Sequence, residues 1–205
     1  MIIKALIPVK SLSAAKSRLA AHLTQPQRRL LVLDMLHHVI FALRESGALA
    51  SIAVVSPDPC VLEQARAWGA LALVETQQGH NPALHAAALD EKMAGADALL
   101  TISADLPLLQ PDDIRGMVER LRHSAVVLAA SREGTGTNVL LVRPPLAVPY
   151  VFGPGSLQRY STEAREQRLA VSIYNSPGTA LDIDTIDDLE ALWRSSEAIR
   201  GALAS

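Results

Sequence analysis

The chain has 205 residues, 49% hydrophobic and 20% charged, with 19 Lys and Arg against 21 Asp and Glu and a net charge of -2. This balance excludes global disorder and lacks the basic footprint of a nucleic-acid binder; 3% aromatics are too few for a base-stacking platform. A lone cysteine, Cys60, excludes an internal disulfide framework and a cysteine-built zinc site, and reads as a small apolar side chain.

The N-terminus, MIIKALIPVK, is interrupted by a lysine, and no run of about 18 apolar residues follows. No signal peptide or membrane span fits, so the expected location is cytoplasmic. Ile2 to Val9 reads as a strand apolar on both faces, as in the centre of a parallel sheet. A polar loop covers Lys10 to Arg18. Thr24 and Pro26 open a long helix that Gly47 stops. Ser51 to Ser56 is a short strand. Asp58 and Pro59 start a helix to Trp68, stopped by Gly69, and Leu71 to Val74 is a strand. Asn81 and Pro82 start a helix to about Met93. Asp97 to Ser103 is a buried strand running into Asp105. Pro111, Asp112 and Asp113 start a helix to about His123. Ala125–Ala130 and Asn138–Val142 are strands around a polar turn. A helix follows Ser156, a strand lies at Val171–Tyr174, and a last helix follows Asp184. No repeat, low-complexity tract or Gly/Ser linker divides the chain, so residues 1–205 read as one domain. Strands alternating with helices imply a mostly parallel α/β sheet. Ligands of such sheets bind beyond the carboxyl ends of the strands.

Common nucleotide motifs are missing. No G-x-G-x-x-G follows the first strand and there is no G-x-x-x-x-G-K-[ST], which argues against a dinucleotide oxidoreductase and a P-loop NTPase. None of the six histidines, among them His37, His38, His80 and His85, has a convincing metal spacing.

The loops carry more. PVKSLSAAKSRL holds Lys10, Lys16 and Arg18 among three serines, suited either to a polyphosphate or to a solvated surface. Asp105 ends a strand too apolar to be peripheral. Its carboxylate needs a cation there, a hard divalent metal above all; the competing role is a helix cap. Asp182 and Asp184 form a D-x-D. One is expected to face a site while the other caps the next helix. GTGTN (Gly134 to Asn138) and FGPGS (Phe152 to Ser156) are Gly-rich turns that suit an anion or serve as plain turns.

PVKSLSAAKSRLA, SADLPLL, GTGTN, FGPGS and LDIDTIDDL, in this order and spacing, resemble the 2-phospho-L-lactate guanylyltransferase family. Other members of that family use phosphoenolpyruvate or 3-phospho-D-glycerate, and all serve biosynthesis of the deazaflavin coenzyme F-420. The resemblance covers nearly the whole chain. It implies a three-layer α/β/α, Rossmann-like fold of the nucleotide-diphospho-sugar transferase type. It also implies a reaction: GTP binds with Mg²⁺, an oxygen of the phosphorylated C3 acid attacks the α-phosphorus, and diphosphate leaves. Lys16 and Asp105 are the implied catalytic pair. Asp105 with Asp182 or Asp184 takes the metal. Lys10, Lys16 and Arg18 meet GTP phosphates, while Gly79 and Asn81 lie near the nucleoside. Thr137, Gly153 and Ser156 meet the acid. Small-molecule substrates are the implied partners, without nucleic acid or membrane. The sequence leaves the oligomeric state open, a homodimer included.

Two other readings compete. Nucleotidyltransferases that make molybdopterin or sugar nucleotides start with a Gly-rich L-A-G-G stretch that this chain lacks. A non-catalytic nucleotide sensor of the same fold is expected to have lost its metal carboxylates, yet Asp105, Asp182 and Asp184 are present.

Overall fold

The computed structural model describes residues 1–90 and 93–203, and side chains as far as residue 194. Seven strands form one sheet, β1 (Ile3–Pro8), β2 (Ser51–Ser56), β3 (Leu71–Val74), β4 (Ala98–Ile102), β5 (Val126–Ala130), β6 (Thr137–Val142) and β7 (Val171–Tyr174). Their spatial order is β3-β2-β1-β4-β6-β5-β7. Only β6 runs against its neighbours; every other pairing is parallel. The expected mostly parallel α/β sheet is therefore present.

Helices α1 (Gln25–Glu45), α2 (Pro59–Ala67) and α4 (Pro111–Arg120) cover one face. There Leu36, Ile40, Val61 and Ile114 meet Ala5, Ile7 and Leu100. Helices α3 (His80–Leu89) and α5 (Ser156–Glu166) cover the other face. There Leu84 and Tyr160 pack on Leu6, Ala53 and Leu128. Strand residues buried on both faces explain why β1, β4 and β6 read as largely apolar runs without hydrophobic–polar alternation. Lys4, the break in the first run, sends its amine to the Ala94 carbonyl at 2.6 Å.

Start signals worked where a side chain could satisfy the first helical N–H groups. Asp58 accepts from the Cys60 N–H at 3.0 Å, with Pro59 opening α2. The Thr24 N–H and hydroxyl both donate to Gln27 Oε1 at 2.8 Å before α1. Stop signals were less exact. Helix α3 begins at His80, one residue early, because Gly79 at φ +97° supplies the turn. It ends at Leu89, short of Met93, where Asp90 turns extended; the intervening 91–92 lie outside the described residues, as do 204–205. Helix α4 ends at Arg120 rather than His123. A 3₁₀ turn (Ser17–Leu19) inside the first loop and a one-turn α6 (Pro177–Ala180), capped by Ser176 Oγ, were not foreseen. The last helix, α7, spans Ile186–Leu203. No helix among the described residues is long and apolar enough to cross a membrane.

Candidate active site

The carboxyl ends of β1 and β4 and the amino end of β6 share one edge of the sheet, since Ile102 lies opposite Val139. A cleft of about 430 Å³ opens there. The loop after β1 brings Lys10, Lys16 and Arg18 to it, the end of β4 brings Asp105, and the segment before α7 brings Asp182 and Asp184. Six predicted residues from three distant stretches thus line one space.

Lys16 is its centre. The ammonium bonds to the Asp105 carboxylate and, at 3.0 Å, to Asp184 Oδ1. Arg18 Nη1 lies 3.9 Å from the other Asp184 oxygen. The Lys16 side chain is only 8% exposed. Burial by itself lowers a lysine pKa, but the charges of Asp105 and Asp184 outweigh it and raise Lys16 above its ordinary value. Its backbone sits in the left-handed region at φ 53°, a conformation that costs a side-chain-bearing residue about 1–2 kcal/mol. Such strain persists where surrounding structure over-determines it, as at functional sites; here it places the ammonium between two carboxylates.

Asp182 and Asp184 both face the cleft, which corrects the expectation that one of them caps the following helix. Residues two apart in an extended stretch lie on the same side, and the D-x-D spacing brings both carboxylates to the cleft. Capping falls to Asp188. Its Oδ2 accepts the N–H groups of Asp184 and Thr185 at 3.1 and 2.8 Å, while Arg132 pairs with Oδ1. Burial pushes the Asp182 carboxyl above the ordinary carboxylate range. A hydrogen bond from Asn138 opposes this, and the Asp105 and Asp184 charges add to it.

Thr137 and Ser156, from the two Gly-rich turns, come together at this edge of the sheet but do not line the cleft. Ser156 Oγ donates to Thr137 Oγ1 at 3.1 Å, and both residues are buried. Ser156 is the first residue of α5, behind Gly155 in the left-handed conformation. Gly153 is exposed in the same turn.

Gly79 lines a second space of about 200 Å³ that adjoins the cleft and shares Pro8, Val9, Lys10 and His80 with it. Asn81 lines neither space. Its side-chain amide clasps the Phe152 backbone, accepting the N–H at 2.9 Å and donating to the carbonyl at 3.1 Å. Asn81 thereby ties the start of α3 to the FGPGS turn.

Three contributors were not singled out from the sequence. Asn138 Nδ2 reaches the Thr179 and Ala180 carbonyls and Asp182 Oδ1, each at 3.1 Å, and so positions Asp182 from β6. His80 packs edge-on against Phe152, their ring centroids 5.6 Å apart. Desolvation, and then the Lys10 charge, hold its pKa below the usual value. Phe152 in turn meets Tyr160 edge-on at 5.3 Å. The family resemblance points to Gly79 and Asn81 in this stretch, but spacing does not say which neighbour faces the cleft. Cys60 is a half-buried free thiol at the start of α2, outside both spaces.

Residues 3–198 match the family described as guanylyl transferase CofC like. A phosphoenolpyruvate guanylyltransferase of Sphaerobacter thermophilus is 43% identical over 188 residues, which is 92% of this chain and 91% of that one. A Rubrobacter xylanophilus protein of the same name is 42% identical over 196 residues, 95% of each chain. Among solved structures, a protein proposed to be a nucleotide-diphospho-sugar transferase, from Desulfovibrio desulfuricans G20, matches with a TM-score of 0.79 at 17% identity. That match covers 95% of this chain and 88% of the other, and at such identity it speaks for the fold alone. The sequence matches reach from β1 into α7, through every loop that builds the cleft. The chain is a nucleotidyltransferase and belongs to the CofC-like guanylyl transferase family.

Proposed function

We propose that this chain, acting as a single domain, transfers GMP from GTP to phosphoenolpyruvate and releases diphosphate, as a step in making coenzyme F-420. The carrying observation is the Lys16 ammonium clamped between Asp105 and Asp184 at the floor of a cleft that also holds Lys10 and Arg18. A triphosphate offers the lysine a competing set of anionic oxygens. Lys10, at the junction of the two spaces, and Arg18, at the rim, complete a cationic path along the phosphates.

The carboxylates fit Mg²⁺ in a particular way. Among the described residues no three His, Cys, Asp or Glu side chains are gathered closely enough to hold a metal alone. Magnesium usually takes one or two carboxylates and completes its shell with substrate phosphates and water. Asp105 and Asp184, already sharing one cation, suit that arrangement, with Asp182 beside them. Held by Asp105 and Asp184, Mg²⁺ would supply charge neutralisation for the phosphates and the leaving diphosphate. The chain's own part is placement and electrostatics. Lys16 meets charge on the phosphates, and Asn138 holds Asp182 in position. Thr137, Gly153 and Ser156 take the acid. With Ser156 donating to Thr137, the threonine hydroxyl proton is left for an oxygen of the acid.

The test is diphosphate release from GTP and Mg²⁺ with phosphoenolpyruvate, 2-phospho-L-lactate and 3-phospho-D-glycerate compared in parallel. Fastest release with phosphoenolpyruvate, together with a product carrying one GMP per acid, is the expected result. Release that is equal without any acid, or faster with either other acid, overturns the assignment.

A further inference from the structure

The 200 Å³ space beside the cleft has a composition of its own. Its walls are mostly apolar, from Pro8 and Val9 at the end of β1, Val55 in β2 and Ala83 in α3. One acidic residue lines it, Glu75. Glu75 follows β3 directly, and its N–H donates to the Ser56 carbonyl at 3.1 Å. That bond continues the β2–β3 pairing by one residue and fixes where the side chain begins. Glu75 is half-buried, and its carboxylate has no hydrogen-bond or ion-pair partner among the described residues. A half-buried anion without a partner loses hydration and gains nothing in return unless a ligand supplies donors. Lys10 and His80 stand where this space meets the phosphate cleft. The volume lies below the roughly 300–1,000 Å³ of sites for drug-sized ligands, so it suits a planar base rather than a whole nucleotide.

We propose that this space is the guanine subsite and that Glu75 reads the base. The inference rests on GTP being the nucleotide donor. Guanine carries its N1–H and its exocyclic N2 amine side by side, two donors that match the two oxygens of one carboxylate. Adenine presents a ring-nitrogen lone pair in place of the N1–H, so the same carboxylate repels it. Pro8, Val9, Val55 and Ala83 offer apolar surface to the faces of the ring. Lys10, on the shared wall, lies on the side from which the ribose and phosphates leave. The neutral His80 ring, braced by Phe152, forms the rim.

Inosine triphosphate, which lacks only the N2 amine, is the sharpest probe. Affinities for GTP, ITP, 2′-deoxy-GTP and ATP are measured with Mg²⁺ and no acceptor, for the wild type, Glu75→Ala and the isosteric Glu75→Gln. A charge-assisted hydrogen bond contributes a factor of about 10 to 100 in affinity. The wild type is therefore expected to bind GTP tighter than ITP by about that factor, and ATP weaker still. Glu75→Ala is expected to bind GTP and ITP alike, and Glu75→Gln to fall between, since an amide keeps one acceptor. Should Glu75→Ala not fold, the Gln variant alone decides through the same ratio. A GTP-to-ITP ratio unchanged by substitution overturns the proposal, as does a wild type that does not discriminate. Equal losses for both nucleotides, with 2′-deoxy-GTP as weak in the wild type as GTP is in the variant, assign Glu75 to the ribose and also overturn it. If the ratio collapses as expected while no acid is guanylylated, the subsite stands and the proposed reaction falls. If guanylyl transfer persists with an unchanged ratio, the reverse holds.

Discussion

Two halves of the candidate site are built on opposite physics. The proposed nucleotide half consists of charges on loops, with Lys16, Arg18, Asp105 and Asp184 paired with one another in a wide cleft. The proposed acceptor half is neutral and mostly buried, with the Ser156 and Thr137 hydroxyls bonded to each other and Asn81 clasping the Phe152 backbone. Charges in a cleft act strongly on developing phosphate charge but fix position loosely. Short neutral hydrogen bonds in a packed wall contribute less energy and more direction. The first half should therefore govern turnover and the second the choice of acid.

The largest expected effect tests the charged half. Asp105→Asn keeps the shape and removes the anion that faces Lys16 and the proposed Mg²⁺. Several kcal/mol of charge stabilisation are at stake, so kcat at saturating Mg²⁺ should fall by roughly a thousandfold, with a melting temperature near that of the wild type. Near-normal turnover would return Asp105 to a structural role and erase the contrast. A smaller and selective effect tests the neutral half. Ser156→Ala and Thr137→Val each remove one neutral hydroxyl, worth about 0.5–1.5 kcal/mol. KM for phosphoenolpyruvate should rise about threefold to tenfold while KM for GTP holds. Equal changes in both constants would show that the two halves are not separate.

The smallest effect lies at the foot of the first loop, where Asp58 accepts the Leu12 N–H at 2.9 Å and also caps α2. Burial pushes its carboxyl up, but the N–H groups of Leu12 and Cys60 and the Ser11 hydroxyl outweigh this and hold it below the ordinary carboxylate range. Its contribution is therefore full above the pKa of the unfolded chain and is lost as pH falls through the lower folded value. Asp58→Ala should cost about 1 kcal/mol at neutral pH, as lost helix caps do. Melting curves of variant and wild type should converge in acid; a gap that persists there would point to packing instead of the cap.

Much of this was legible in the sequence because it depends on neighbours in the chain. Apolar runs marked the strands, Pro and Asp marked the starts of α2 and α4, and a carboxylate after a wholly apolar strand marked Asp105. The hairpin of β5 and β6 followed from its polar turn. What escaped was set by contacts across the fold. Asn81 reaches Phe152 across 71 positions, and Asn138 reaches Asp182 across 44. An amide carries no sign of whether it will meet a ligand or a backbone. The shared orientation of Asp182 and Asp184 is what a two-residue spacing in extended backbone gives, so the expectation that one of them turns away to cap the next helix does not follow from alternation. Lys16 was read as a phosphate ligand, and its carboxylate partners became visible only when β4 and the segment before α7 met the first loop.

Strand β6 enters the sheet beside the point where β4 leaves it, with the Ser103 N–H on the Asn138 carbonyl at 2.9 Å. The turn before it, residues 131–136, therefore reaches the site's edge of the sheet without having to carry a crossover between parallel strands. A hairpin turn can lengthen or change composition while the ladders on either side keep their register, because loop length adds little closure cost. The loop after β1 has no such liberty, since Lys16 must reach two carboxylates from a strained backbone. The architecture is thus modular with respect to mutation: changes in the hairpin turn should alter the proposed acceptor side while the Lys16 clamp stays in place.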